Sequence, residues 1–138
     1  MKTYTDLEQS KKLVEILPIE SADMVYLRCD FEDEGEYSIL VGSYHEGYTQ
    51  REDGTIVPVF DEHIPAWSLA ALLDVLESEI DCKDGETYLL NIEKEGVWWN
   101  VWYRELYDEA NPIETASTEE LIDACVEMII KLNKLNLL

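Results

Sequence analysis

The sequence predicts an α+β fold: an antiparallel sheet of about six strands in hairpins with three helices, in the order α-ββββ-α-ββ-α. Three observations carry this. Apolar residues recur at helical spacing in three separated stretches. Between the helices the apolar residues alternate with period two, and Gly-containing turns punctuate the alternating runs. Strands joined by short turns pair antiparallel, and segregated helices then cover one face of the sheet. A length of 138 residues fits one domain over 1–138.

Thr5-Asp6-Leu7-Glu8 has the form of a capping box, with the Thr hydroxyl accepting from the Glu8 amide. Leu7, Val14 and Leu17 follow at helical spacing with Leu13 beside them, and Pro18 stops the run, so the first helix is expected over 5–17. From Met24 to Phe31, Val25, Leu27, Cys29 and Phe31 point one way and Tyr26, Arg28 and Asp30 the other. Glu32 to Gly35 reads as a turn. Tyr37 to Tyr44 reads as a second strand with Tyr37, Ile39 and Val41 on its core face. A second hairpin is expected from Gly47–Arg51 and Thr55–Phe60, because Asp53-Gly54 accepts the positive φ of a tight turn. Pro58 marks a strand edge or end.

The second helix is expected over 64–76, with Pro65 in its first turn, where a missing amide costs nothing, and Leu69, Leu72, Leu73 and Leu76 as its apolar stripe. Tyr88–Glu93 and Val97–Arg104 form a further hairpin around Lys94-Glu95-Gly96. Ser117 and Glu120 suggest a capping box opening the longest helix, about 118–135, with Leu121, Cys125, Met128, Ile129, Leu132 and Leu135 on its buried side. Lys131 and Lys134 at its end suit the helix dipole. The two units 24–76 and 87–135 suggest a loose duplication, but strand pairs followed by helices are common and no residue-by-residue repeat is present.

Charge narrows the partners. There are 31 Asp+Glu against 10 Lys+Arg, a net −21. Residues 31–90 hold fifteen acids and only two bases, Arg51 and Lys83. Such a surface repels nucleic acid and anionic membranes, and it attracts basic proteins and cations. It serves either as simple solvation or as an acidic face that docks on a basic protein by long-range steering. The apolar runs are too short to span a bilayer, and the polar start MKTYTDLEQSKK lacks the apolar core of a signal peptide. Cys29, Cys82 and Cys125 are an odd, scattered set with no CxxC, which reads as reduced thiols in a cytoplasmic protein.

Catalytic and cofactor motifs are absent from the sequence. There is no GxSxG, P-loop or Rossmann glycine pattern and no HExxH, so no cofactor, no metal and no catalytic residue is expected. His45-Glu46 and Asp61-Glu62-His63 place both histidines beside carboxylates; a metal-assisted hydrolase using Asp61, Glu62 and His63 is the enzymatic alternative. Asp81 to Glu86 glances at a calcium loop, but aligning Gly85 with the loop glycine puts Ile80 at the first ligand, so it reads as a turn. Cys29 and Cys125 fall on core faces. Cys82 lies in a charged loop where acids raise its pKa.

The strand Val97 to Arg104 is the most unusual stretch. Alternation sends Val97, Trp99, Val101 and Tyr103 to one face with Tyr88, Leu90 and Ile92 of the partner strand, an apolar set assigned to the core. Trp98, Asn100, Trp102 and Arg104 go to the other face with Leu89, Asn91 and Glu93. Leu89, Asn91, Trp98, Asn100, Trp102 and Arg104 are therefore the candidate binding residues: large amphipathic rings with polar groups between them are what partner surfaces use. The alternatives are that the first helix covers this face, or that the two rings pack on each other along the strand. A two-fold homodimer through the same face is a competing use.

Ile64-Pro65-Ala66-Trp67-Ser68-Leu69-Ala70-Ala71-Leu72-Leu73, the Trp-rich strand, and Asp123-Ala124-Cys125-Val126-Glu127-Met128-Ile129-Ile130-Lys131-Leu132 resemble a group of small uncharacterised proteins of gut Bacteroidetes, often in phage-like or mobile regions. The resemblance covers about residues 60–138. It implies a cytosolic accessory role and favours an interaction function over an enzyme. The expectation is thus an acidic adaptor or inhibitor that binds a basic protein, with neutralisation of a basic nuclease, as immunity proteins and antitoxins do, as its special case.

Overall fold

The computed structural model describes residues 1–28, 37–42, 48–50, 52–54, 56–58, 62–107 and 111–138. Among the described residues the fold is α+β, with three α-helices and antiparallel sheets of three and four strands beside a separate hairpin. In place of the single six-stranded sheet expected, two sheets form, completed by strands over 62–66, 79–81 and 113–114 that lie outside the expected hairpins. The chain divides into two compact units, Tyr4–Ala71, and Leu72–Leu138 together with Met1–Thr3.

In the first unit, α1 spans Leu7–Leu13. Its cap is Asp6 rather than Thr5: the Asp6 carboxylate accepts from the Gln9 amide at 2.8 Å, and the Gln9 side chain accepts from the Asp6 amide at 3.0 Å. Thr5 is instead buried. Its hydroxyl shares a hydrogen bond with Ser10 Oγ at 2.8 Å and accepts from the Trp67 amide at 3.1 Å, while its amide donates to the Trp67 carbonyl at 2.9 Å. The helix also ends four residues before the expected Leu17, unwinding into a turn ahead of Pro18.

β1 (Met24–Arg28) lies at the centre of the three-stranded sheet, between β2 (Ser38–Val41) and β5 (Glu62–Ala66). Val25 and Leu27 are buried as their alternation requires. Val41, expected in the core, is 81% exposed, because β2 is an edge strand whose pairing ends there. β3 (Tyr48–Gln50) and β4 (Ile56–Pro58) pair antiparallel around Asp53-Gly54, with Gly54 at φ +86°, and Pro58 ends its strand. The turn expected at Glu32–Gly35, and Cys29, His45, Glu46 and Asp61, lie outside the described residues.

Pro65 does not open a helix. It lies in β5, opposite Val25, on an edge strand, where a missing N–H is tolerated and proline favours an extended neighbour. The helix α2 starts later, at Leu69, and runs to Val75. Ser68 caps it, accepting from the Ala71 amide at 3.2 Å. Asp23 holds Ser68 in turn, accepting from its amide at 2.8 Å and from its hydroxyl. Trp67 is fully buried and its indole donates to Ser21 Oγ at 2.9 Å.

In the second unit the sheet order is β6 (Glu79–Asp81), β7 (Thr87–Glu95), β8 (Trp98–Glu105) and β9 (Ile113–Glu114). β6 and β9 were not expected: each is three residues or fewer, too short to show a period. The Asp81–Glu86 segment is a hairpin turn, with Gly85 at φ +89°. α3 (Leu121–Lys134) packs on β8. Its capping box does not form, because Ser117 donates to Asn100 and Thr118 pairs with Trp99 across the sheet, delaying the helix to Leu121. At the far end Asn136 adopts φ +57°, with the Leu137 amide donating to the Leu132 carbonyl at 2.9 Å and the Asn136 amide to Asn133 at 3.1 Å, a Schellman ending. That ending turns Leu135 outward, so it is exposed rather than buried.

Candidate functional site

The site is built by the β7–β8 hairpin. Gly96 at φ +62° and Val97 make its two-residue turn, the primed geometry that matches strand twist. With that turn fixed, the register pairs Leu89 with Arg104, Asn91 with Trp102, Glu93 with Asn100 and Glu95 with Trp98. Directly opposed residues share a face, so all six candidate residues fall together on one side of the sheet. On the other side Val101 and Tyr103 are buried, with the Tyr103 hydroxyl donating to the Glu77 carbonyl at 2.6 Å. Burial pushes the Tyr103 hydroxyl well above the usual phenol range.

Two residues assigned to that inner face are exposed, and Leu90 is only half-buried. Val97 is 62% exposed because it belongs to the turn, and Ile92 is 37% exposed near the hairpin's end. Trp99 is half-buried, bridged to Thr118, with the Lys94 ammonium 5.1 Å from its ring centroid. Lys94 is thereby committed to the inner face.

The outer face combines an exposed ring with a half-buried one. Trp98 is 48% exposed; Trp102 is half-buried between Asn91 of β7 and Glu114 of β9. Asn91 donates to the Leu89 carbonyl at 2.9 Å, and Asn100 accepts from Ser117 Oγ. Both amides are thus locked by local bonds, which lowers the entropy cost of using the face. Arg104 has no ion-pair partner among the described residues. The exposed carboxylates of Glu93, Glu95 and Glu114 border the rings. Glu114 was invisible to sequence reasoning because it reaches the face only through the two-residue β9. A recess of about 230 Å³ opens there, lined by Glu93, Asn100, Val101, Trp102, Glu114 and Thr115.

A second aromatic row, not foreseen, lies in the first unit. Tyr26 meets Tyr4 and Tyr37 edge-on at 6.4 and 6.3 Å, and the Arg28 guanidinium stands 5.6 Å from the Tyr37 centroid. The Tyr26 hydroxyl donates to the Thr5 carbonyl at 2.8 Å, so this row ties the N-terminal segment to the sheet.

No cluster of three or more His, Cys, Asp or Glu placed to hold a metal ion occurs among the described residues. Of the suggested triad, Asp61 lies outside them and His63 is on β5, opposite Leu27. Cys125 is buried, and burial pushes its thiol up to about 12. Partial burial and then the carboxylates of Asp84, Glu86, Asp81 and Glu105 hold Cys82 above the usual thiol range. Neither thiol is poised as a nucleophile. No described helix is long and apolar enough to cross a membrane. A scan against protein-family models and searches of curated proteins and of solved structures find no match.

Proposed function

We propose that this chain is a non-enzymatic, cytoplasmic binding protein of phage or mobile-element type, an adaptor or inhibitor that engages a basic protein through the outer face of β7 and β8. The observation that supports it most is one arrangement: Trp98 and Trp102 on the same outer sheet face with Asn100 between them, Trp98 half in solvent, bordered by Glu93, Glu95 and Glu114. Aromatic anchors with polar surroundings supply affinity, and the acidic border supplies selection and encounter rate. The chain's −21 net charge extends that steering beyond contact range.

The test is affinity capture from host lysate at low and high salt, comparing the wild type with Trp98→Ala plus Trp102→Ala. The expected result is a basic protein held at low salt, released at high salt, and lost with the double variant at an unchanged fold. Capture of a basic nuclease would assign the immunity type. A partner kept by the double variant, or one indifferent to salt, would sink the reading.

A further inference from the structure

We infer that the recess between Glu93, Trp102 and Glu114 receives a single arginine side chain of the partner. This rests on the docking face proposed above and names what that face recognises. The geometry comes from the sheet. Glu93 lies on β7 opposite Asn100 and Glu114 lies on β9 opposite Trp102, so the two carboxylates flank β8 from opposite sides on the same face. Strand spacing and rise put their Cα atoms roughly 12 Å apart. That separation lets two glutamate side chains converge on one planar cation lying over the strand between them.

The surroundings favour a cation and leave it without a resident one. Lys94 follows Glu93 directly but points to the inner face, over Trp99. Lys131 approaches Glu114, but its ammonium donates to the backbone carbonyl at 2.6 Å. Arg104 lies one residue pair past Trp102, on the side away from Glu93, and does not line the recess. Among the described residues neither Glu93 nor Glu114 has an ion-pair partner. A guanidinium stacks on an indole, and its planar fork of donors answers two carboxylates together, which a lysine ammonium does less well. A second copy of this chain is disfavoured as occupant, because it would bring three more glutamates to the same face.

The probe is N-acetyl-arginine methylamide, titrated at low salt and followed by the Trp102 indole N–H signal in ¹H–¹⁵N spectra. A saturable shift is expected with the arginine compound and none with its uncharged citrulline counterpart. Glu93→Gln plus Glu114→Gln, both at exposed sites that tolerate the change, weakens it roughly tenfold, as loss of two partly exposed ion pairs implies. Equal shifts from citrulline, or arginine binding untouched by the two Gln substitutions, overturn the inference. Partner capture separates it from the reading it rests on. If Trp98→Ala abolishes capture while the double Gln variant retains it, the face stands and the arginine recess falls. If neither variant loses the partner, both fall. Where no partner is captured, the titration decides the recess alone.

Discussion

Trp98 and Tyr103 belong to one strand and face opposite ways, so truncating each separates binding from folding. A Trp side chain buries on the order of 150–250 Å² when enclosed. Trp98 is 48% exposed, so about 100 Å² of it is withdrawn from water. At roughly 25 cal/mol/Å² that is about 2.5 kcal/mol, an upper bound, since the unfolded chain already hides part of this area. The expected cost of Trp98→Ala is therefore about 1–2 kcal/mol. Tyr103 is 0% exposed and holds the Glu77 carbonyl at 2.6 Å. Tyr103→Ala should cost about 3–5 kcal/mol for the ring and about 1 kcal/mol more for the carbonyl left unpaired. Urea titration measures both, and partner capture is run on the same samples. The reasoning predicts that Trp98→Ala loses the partner and little stability, and that Tyr103→Ala loses stability foremost. Comparable midpoint shifts for the two variants would show that Trp98 is a packing residue, and the docking face would lose its anchor.

Three further outcomes follow from the geometry. Ser68→Ala removes the cap of α2 and one donor to Asp23, and should cost about 1–2 kcal/mol by urea titration, with Ser68→Thr recovering most of it. In a Cys29→Ser background, iodoacetamide should label Cys82 and spare Cys125 in the folded state, and the Cys82 rate should keep climbing past pH 9, since its thiol lies above the ordinary value of 9.0. Because the folded Cys125 thiol is raised from 9.0 to about 12, its contribution to stability is whole below pH 9 and is lost as the pH rises through 12; Cys125→Ala should lessen that alkaline fall, by up to about 1.4 kcal/mol per pH unit.

The face of β8 was legible in the sequence because one set of alternate positions, Val97, Trp99, Val101 and Tyr103, is wholly apolar while the other mixes Trp98 and Trp102 with Asn100 and Arg104, and its turn is fixed by one glycine. Period two then assigns each side chain to a side without knowledge of the rest of the chain. The same logic failed at the hairpin's end: alternation gives a side, not a cover, so Val97 and Ile92 were assigned to a core that does not extend to them. Helix starts were misjudged where two residues compete for one role. Thr5 and Ser117 both look like caps, yet each has a stronger tertiary partner, in Ser10 and Trp67 for the first and Asn100 for the second. Pro65 suited a helix start as well as an edge strand, and Ser68 three residues on was the better cap. β6 and β9 carry too few residues for a period, and with β9 the second carboxylate of the recess was hidden too.

Self-association and partner binding through this face differ in the sign of their salt dependence. A two-fold contact would bring Glu93, Glu95 and Glu114 of one copy near those of the other, with only Arg104 on each side to offset them, between chains that each carry −21. Repulsion of that kind is screened by salt, so a dimer would grow stronger as ionic strength rises from about 0.05 to about 0.5 M. Attraction to a basic partner is screened by the same ions and would weaken over that range. Light scattering across the salt series, with capture run in parallel, reads both signs at once. The docking proposal predicts a monomer at low salt whose partner affinity falls steadily with salt. A dimer present at low salt and lost with Trp98→Ala would mean that the rings bind each other strongly enough to overcome the acid around them, and the acidic border would then have no part in recognition.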